Sequence, residues 1–240
     1  GMYSVIVVGG GPAGIAAAIA ARRQGLSTLL VERYGFLGGM ATAGLVTPFM
    51  TTLGAEGLYP ELLTRLEKWE ALKGRNFDGE LTKLALDEWL TEEGVELLFH
   101  ALLTDVKVEA GRITRITIAG KGQELELEAS YFIDCTGDGD LAALAGVPTN
   151  MGREEDHLCQ PMTTCFQVGG VQDDLMLPRQ ELSALYNEAK AEGKLQNPRE
   201  NVLWFHTIRP GEVHFNTTRV VGKNPVSMRE LTEAELEARG

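Results

Sequence analysis

Cysteine, histidine and clustered positive charge are all scarce in this chain. Only three cysteines occur in 240 residues, at Cys135, Cys159 and Cys165. An odd number without paired spacing offers no disulfide framework and suits a reducing, cytoplasmic compartment better than secretion. No C-x-x-C motif is present, which removes the usual vicinal dithiol. Four histidines, none within residues 1–99, give no metal-ligand pattern. No run of Lys and Arg interrupts a net charge of -12, so neither nucleic acid nor an anionic membrane surface is an expected partner. The one long uncharged stretch, VIVVGGGPAGIAAAIAA at residues 5–21, contains Gly-Gly-Gly-Pro and cannot run through a bilayer as continuous helix. It also lacks the basic start of a signal peptide.

Hydrophobic residues at 44 % are those of a globular protein with a sizeable core. Residues 3–8 are short, apolar and β-branched, as in a buried strand, and residues 12–24 read as an Ala/Ile helix stopped by Gly25. A second buried strand over 27–32 completes a βαβ unit. Helical periodicity returns over 60–73 and 78–93. Strand patterns follow over 95–109, 112–119 and 123–129, an antiparallel meander, and then 131–135 leads into the turn TGDGD. Beyond Gly146 a strand over 162–171, a helix over 179–192 and a hairpin around residues 209–212 are expected. The fold class is thus α/β: a Rossmann-like three-layer domain of parallel sheet, helices and antiparallel β-meander, followed by part of a mixed α+β domain. The boundaries read 1–150, with a helical excursion over about 45–94, and 151–240.

Gly9, Gly11 and Gly14 form G-x-G-x-x-G between strand and helix. The first glycine allows the tight turn, the second lets backbone approach a pyrophosphate, and the third, with Ala18, lets helix and strand pack. A diphosphate would lie on the N–H groups and positive dipole end of the helix. Glu32, closing the second strand, offers a carboxylate to both hydroxyls of an adenosine ribose and disfavours a 2′-phosphate.

Four stretches, VIVVGGGPAGIAAAIAARRQG, LLVERYGFLGGMATAGLV, FIDCTGDGDLAALAG and FNTTRVVG, resemble the FAD-dependent oxidoreductases of the glutathione-reductase-like superfamily. The resemblance implies a hydride transfer between an organic substrate and non-covalently bound FAD. It implies cofactor contacts at Gly9, Gly11, Pro12, Ala13, Gly14, Glu32 and Arg33. Gly38, Gly39, Met40 and Thr42 would line the flavin side of the pyrophosphate. Thr136, Gly137 and Asp138 would close over the cofactor, and the backbone of Leu103 would meet adenine. With neither His nor Cys in the proximal loop, no flavin bond through either can form there. No second G-x-G-x-x-G occurs, so a separate NAD(P)H domain is not expected.

Members of the family continue well past the position matching Gly240, so a carboxyl-terminally truncated chain is expected. The truncation leaves an FAD-binding fragment without turnover as one alternative; an NAD-dependent dehydrogenase is a separate one. The residues do not single out a catalytic group. His206 and His214 flank the hairpin and alternation aims each either inward to substrate or outward to water. Arg219 suits a carboxylate clamp or a surface salt bridge equally, and Arg209 and Tyr59 complete the candidates. No metal is expected. The substrate and the oligomeric state stay open.

Overall fold

The computed structural model describes residues 2–50 and 54–240. The chain divides into two units, residues 1–149 and 150–240.

In the first unit, β1 (Tyr3–Val8), β2 (Thr28–Val31) and β5 (Glu96–Leu98) run parallel, joined by the second half of β8 (Gln123–Asp134). The sheet order is β5-β2-β1-β8-β7-β6, where β6 is Leu102–Glu109 and β7 is Arg112–Gly120. The first half of β8 pairs antiparallel with β7, so one strand belongs to both the parallel sheet and the meander. Period-two alternation along β1 separates the layers. Val5 and Val7 face Ile15, Ala18 and Ile19 of α1 (Pro12–Arg23) and Leu86, Trp89 and Leu90 of α3 (Gly79–Glu92). Ile6 and Val8 face Val106, Ile116 and Ile118 of the meander. Buried on both faces, β1 and β2 are continuous apolar runs. Arg23 ties the helices together, donating to Glu61 of α2 (Leu58–Lys68) at 2.7 Å and to Glu93 beyond α3.

Four expected elements of this unit are corrected. The helix expected over 60–73 ends at Lys68, because Glu70 takes a left-handed φ of 53°. The Ala71 N–H then donates back to Leu66 O at 2.8 Å, a Schellman closure. The chain goes on to a two-stranded ribbon, β3 (Leu72–Lys73) with β4 (Asn76–Phe77). The strand expected over 95–109 is two strands in different layers. His100, at φ 55°, turns the chain from β5 into the meander, and Ala101 N donates to Glu32 O at 3.0 Å. Conversely, 123–129 and 131–135 join as the single strand β8. Residues 51–53, inside the expected helical excursion, lie outside the described residues.

The second unit has a three-stranded antiparallel sheet of order β10-β11-β9, formed by Trp204–His206, Val213–Phe215 and Phe166–Val168. The strand expected over 162–171 is thus shorter. Gly211, at φ 72°, and a Glu212 N to Arg209 O bond of 3.3 Å make the expected Pro-Gly turn. Leu182 and Tyr186 of α5 (Arg179–Ala191) pack on Val202, Trp204 and Val213. A final helix, α6 (Met228–Arg239), starts at a Ser227 cap.

Candidate cofactor site

At the carboxyl ends of β1, β2 and β8, three loops meet. The turn after β1 is built by glycines that do different work. Gly9 has φ 104°, and a Cβ there would lie 2.1 Å from Cys135 O. A Cβ at Gly14 would lie 1.7 Å from Gly9 O, so strand and helix touch through backbone. Ala18, wholly buried one turn later, continues that contact. Gly11 differs: at φ −77° it is unstrained, and a Cβ would meet only Gly39 Cα, at 3.7 Å.

Gly11 is the N-cap of α1 and Pro12 its first residue, and no side chain caps the helix. The first-turn N–H groups of Ala13 and Gly14 are therefore presented to an anion beside the positive dipole end. The second loop, Gly38–Thr42, stands across from this turn. A Cβ at Gly39 would lie 2.9 Å from Gly11 Cα, and Gly38 N donates to Gly10 O at 2.9 Å. Gly38 takes φ 111° and Gly39 φ 50° at the start of a short 3-10 turn (Gly39–Ala41). Met40 is exposed, whereas Thr42 is buried and its hydroxyl donates to Leu37 O at 2.6 Å, stapling the loop.

Glu32 is buried at 7 % exposure, and its carboxylate is already engaged on both oxygens. Oε2 accepts from Gly10 N at 2.7 Å and Oε1 from Tyr34 N at 2.9 Å. A carboxylate has about four acceptor positions, so each oxygen keeps one for a ribose hydroxyl. The residue thus joins two loops as well as offering acceptors. Glu32→Ala is expected to weaken FAD by about 2–4 kcal/mol, roughly 30- to 800-fold in dissociation constant. It is also expected to lower the stability of the cofactor-free chain by about 1–3 kcal/mol, because the Gly10 N–H loses its acceptor. Flavin fluorescence titration and thermal unfolding of the apo chain read the two effects separately. An unchanged FAD constant would remove Glu32 from the ribose.

The guanidinium of Arg33 lies 4.7 Å from the Tyr34 ring centroid, Tyr34 stacks on Phe36 at 5.5 Å, and Lys83 Nζ sits 3.9 Å over Phe36. This pillar fixes the loop between Glu32 and Gly38. In the third loop, Asp134 organises the turn: Oδ1 accepts from the Thr136 N–H and hydroxyl, and Oδ2 from Ala142 N. The Thr136 hydroxyl in turn accepts from Asp140 N at 2.8 Å, so this residue holds its own loop. Gly137 and Asp138 are exposed, and a Cβ at Gly137 would meet nothing within 4 Å. Burial, then the charges of Asp138 and Asp134, raise the Asp140 carboxyl above its usual range, against the pull of Arg33. Leu103 sits in β6, two residues past the Ala101 that bonds Glu32.

A family model described as FAD dependent oxidoreductase matches residues 4–240. The chain belongs to this family. FAD is the cofactor that membership brings. Dihydrolipoyl dehydrogenase of Trypanosoma brucei brucei is 32 % identical, covering 56 % of this chain and 30 % of its own length. Digeranylgeranylglycerophospholipid reductase of Methanocella arvoryzae is 29 % identical, over 65 % of this chain and 45 % of its own. The chain therefore spans less than half the length of either curated relative. Among solved structures, AlpK shares the fold with a TM-score of 0.58 at 19 % identity, over 97 % of this chain and 48 % of its own.

The donor set suits the cofactor on geometric grounds: a glycine whose missing side chain opens space, an uncapped helix end, and a buried carboxylate with spare acceptor capacity. Four further candidates, Arg219, His206, Arg209 and His214, belong to the second unit. Arg219 forms a salt bridge with Glu200 at 3.2 Å, the surface reading of the two weighed for it. His206 lies 3.5 Å from Asp173 and is half-exposed, and Arg209 forms the turn. His214 is 2 % exposed, and its Nδ1 has no hydrogen-bond partner among the described residues. Burial pushes its pKa below the usual value. Burial raises the thiol pKa of Cys135 and of Cys165, which disfavours the thiolate form of each. No cluster of metal-ligating side chains occurs among the described residues. No helix of the described residues is long and apolar enough to cross a membrane.

Proposed function

We propose that this chain holds FAD on the Gly9–Gly14 turn and takes part in a redox reaction of a small organic substrate. The observation that carries the reading is the pair Gly11 and Gly39. Their backbones face each other at the uncapped end of α1, with no side chain on either. Gly11, Pro12, Ala13 and Gly14 would hold the diphosphate, and Glu32 with Arg33 the adenosine ribose. Gly38, Gly39 and Met40 would border the flavin side, with Gly137 and Asp138 closing the opposite edge and Leu103 near adenine. Thr42 and Thr136 act by holding those loops in shape. Bound FAD supplies a two-electron carrier that accepts or donates hydride. The chain's own residues orient it through backbone donors at the diphosphate and a fixed acceptor at the ribose. The scarcity of cysteine supports a reducing cytoplasm, and the net charge of -12 argues against nucleic acid.

Mixing the purified chain with FAD, followed by gel filtration and absorbance, is expected to show one flavin per chain that bleaches under a reductant and recovers in air. A chain that never retains flavin would overturn the reading. Flavin that cycles without turnover of any organic substrate would leave a cofactor-binding chain without catalysis.

A further inference from the structure

α1, α2 and α3 line a half-open cavity of about 200 Å³ within the first unit. Phe77, Leu86 and Trp89 are fully buried in its floor, and Phe49, Tyr59 and Leu62 form partly buried walls. Among the described residues, no Asp, Glu, Lys or Arg lines it. The hydroxyl of Thr82, also in the lining, is committed to Asp78 O at 2.6 Å. Protein interiors are close-packed, and a purely apolar void of about 150 Å³ stays dry and accepts benzene. This cavity is of the same order and its lining is nearly all carbon, although it is open on one side.

Its aromatic walls are mutually fixed before any ligand enters. Phe49 meets Tyr59 edge-on at 5.4 Å and Phe77 at 4.3 Å. Arg65 lies 5.1 Å over the Trp89 ring, and the Trp89 indole N–H donates to Glu93 at 3.2 Å. Ring edges and faces held in this way suit a further ring, and the ordering cost falls on the ligand alone. A charged group would enter without a partner, which strongly disfavours it. Pro12 and Gly38 also line the cavity, so it shares a wall with the cofactor turn.

We propose that this cavity binds an uncharged, single-ring aromatic group, the anchor of the organic substrate. Its assignment to the substrate rests on the oxidoreductase reading, whereas binding of the ring does not. Ligand-observed NMR on the 240-residue chain tests it with three probes that share a ring and differ in charge: benzyl alcohol, benzoate and benzylammonium. Benzyl alcohol is expected to bind saturably at one site, with each charged probe at least about tenfold weaker. Ala16→Leu places a larger side chain in the lining and is expected to weaken benzyl alcohol about tenfold or more. Leu62→Ala enlarges the space and is expected to shift preference toward 2-naphthalenemethanol, and it decides the matter if Ala16→Leu does not fold. Equal binding of the three probes, non-saturable binding, or a size preference unmoved by Leu62→Ala would overturn the proposal. Flavin content measured on the same samples keeps the two readings apart. Ring binding without flavin removes the oxidoreductase reading, and flavin without ring binding removes this one.

Discussion

Gly11→Val is expected to raise the dissociation constant for FAD more than about 100-fold while the thermal midpoint of the chain moves by about 4 °C or less. The two halves of this result have separate causes. Gly11 has φ −77° and ψ −172°, extended backbone open to any residue, and a Cβ would approach only Gly39 Cα, at 3.7 Å. Valine is a poorer N-cap than glycine, by about 1 kcal/mol, so the fold persists. The added side chain stands where the diphosphate must approach the Ala13 and Gly14 N–H groups. Losing several charge-assisted bonds together costs more than about 3 kcal/mol. Gly11→Ala, which adds one carbon, is expected to fall between wild type and valine. Differential scanning fluorimetry and flavin titration measure both quantities, and wild-type FAD affinity in the valine variant would place the diphosphate elsewhere.

Gly14→Ala is expected to do the reverse, destabilising the chain itself by about 3 kcal/mol or more and lowering its midpoint by about 6–12 °C. The Cβ would sit 1.7 Å from Gly9 O and 2.9 Å from Gly9 C, so helix or strand must shift. Gly9 has little room to yield. Its φ of 104° is a conformation side chains rarely adopt, and its own Cβ position is 2.1 Å from Cys135 O. β1, α1 and β8 are locked through these backbone contacts, and all three carry the core around Val5, Val7 and Ile19. Thermal unfolding of the flavin-free chain is the direct measurement. A midpoint equal to that of wild type would mean the strand–helix contact relaxes without cost. The opposite ordering of the Gly11 and Gly14 effects on stability separates a glycine kept for a ligand from one kept for packing.

Legibility in the sequence followed the range of the forces involved. β1, α1 and β2 were readable because their determinants are local: β-branched apolar runs, Pro12 at a helix start, Gly25 at its end. α3 was readable for the same reason, with Asp78 accepting from Leu81 N as its cap. The break at His100 was not, since nothing in Phe99-His100-Ala101 marks a change of layer. What fixes it is the bonding of His100 N to Tyr34 O and Ala101 N to Glu32 O, from residues about seventy positions away. The early end of α2 likewise depends on Glu70 adopting φ 53°, a conformation usually left to glycine.

The cofactor turn shows the same division at finer grain. G-x-G-x-x-G with Glu32 at the next strand end specified a dinucleotide-type turn, because spacing alone dictates strand, tight turn and uncapped helix. The roles of neighbouring side chains came only with the third dimension. Thr42 and Thr136 carry hydroxyls suited to a ligand, yet each bonds to its own loop. Gly10, which the motif leaves unassigned, donates to Glu32 and accepts from Gly38. The aromatic cavity draws on residues from 12 to 89, brought together by the packing of three helices. By itself, then, the sequence determined the cofactor class and the order of the first βαβ unit, since both rest on short-range geometry and backbone chemistry. Tertiary structure alone decided that Glu32 accepts from the Gly10 N–H and that its carbonyl accepts from Ala101, because those partners are distant in the chain and meet only when the strands pack.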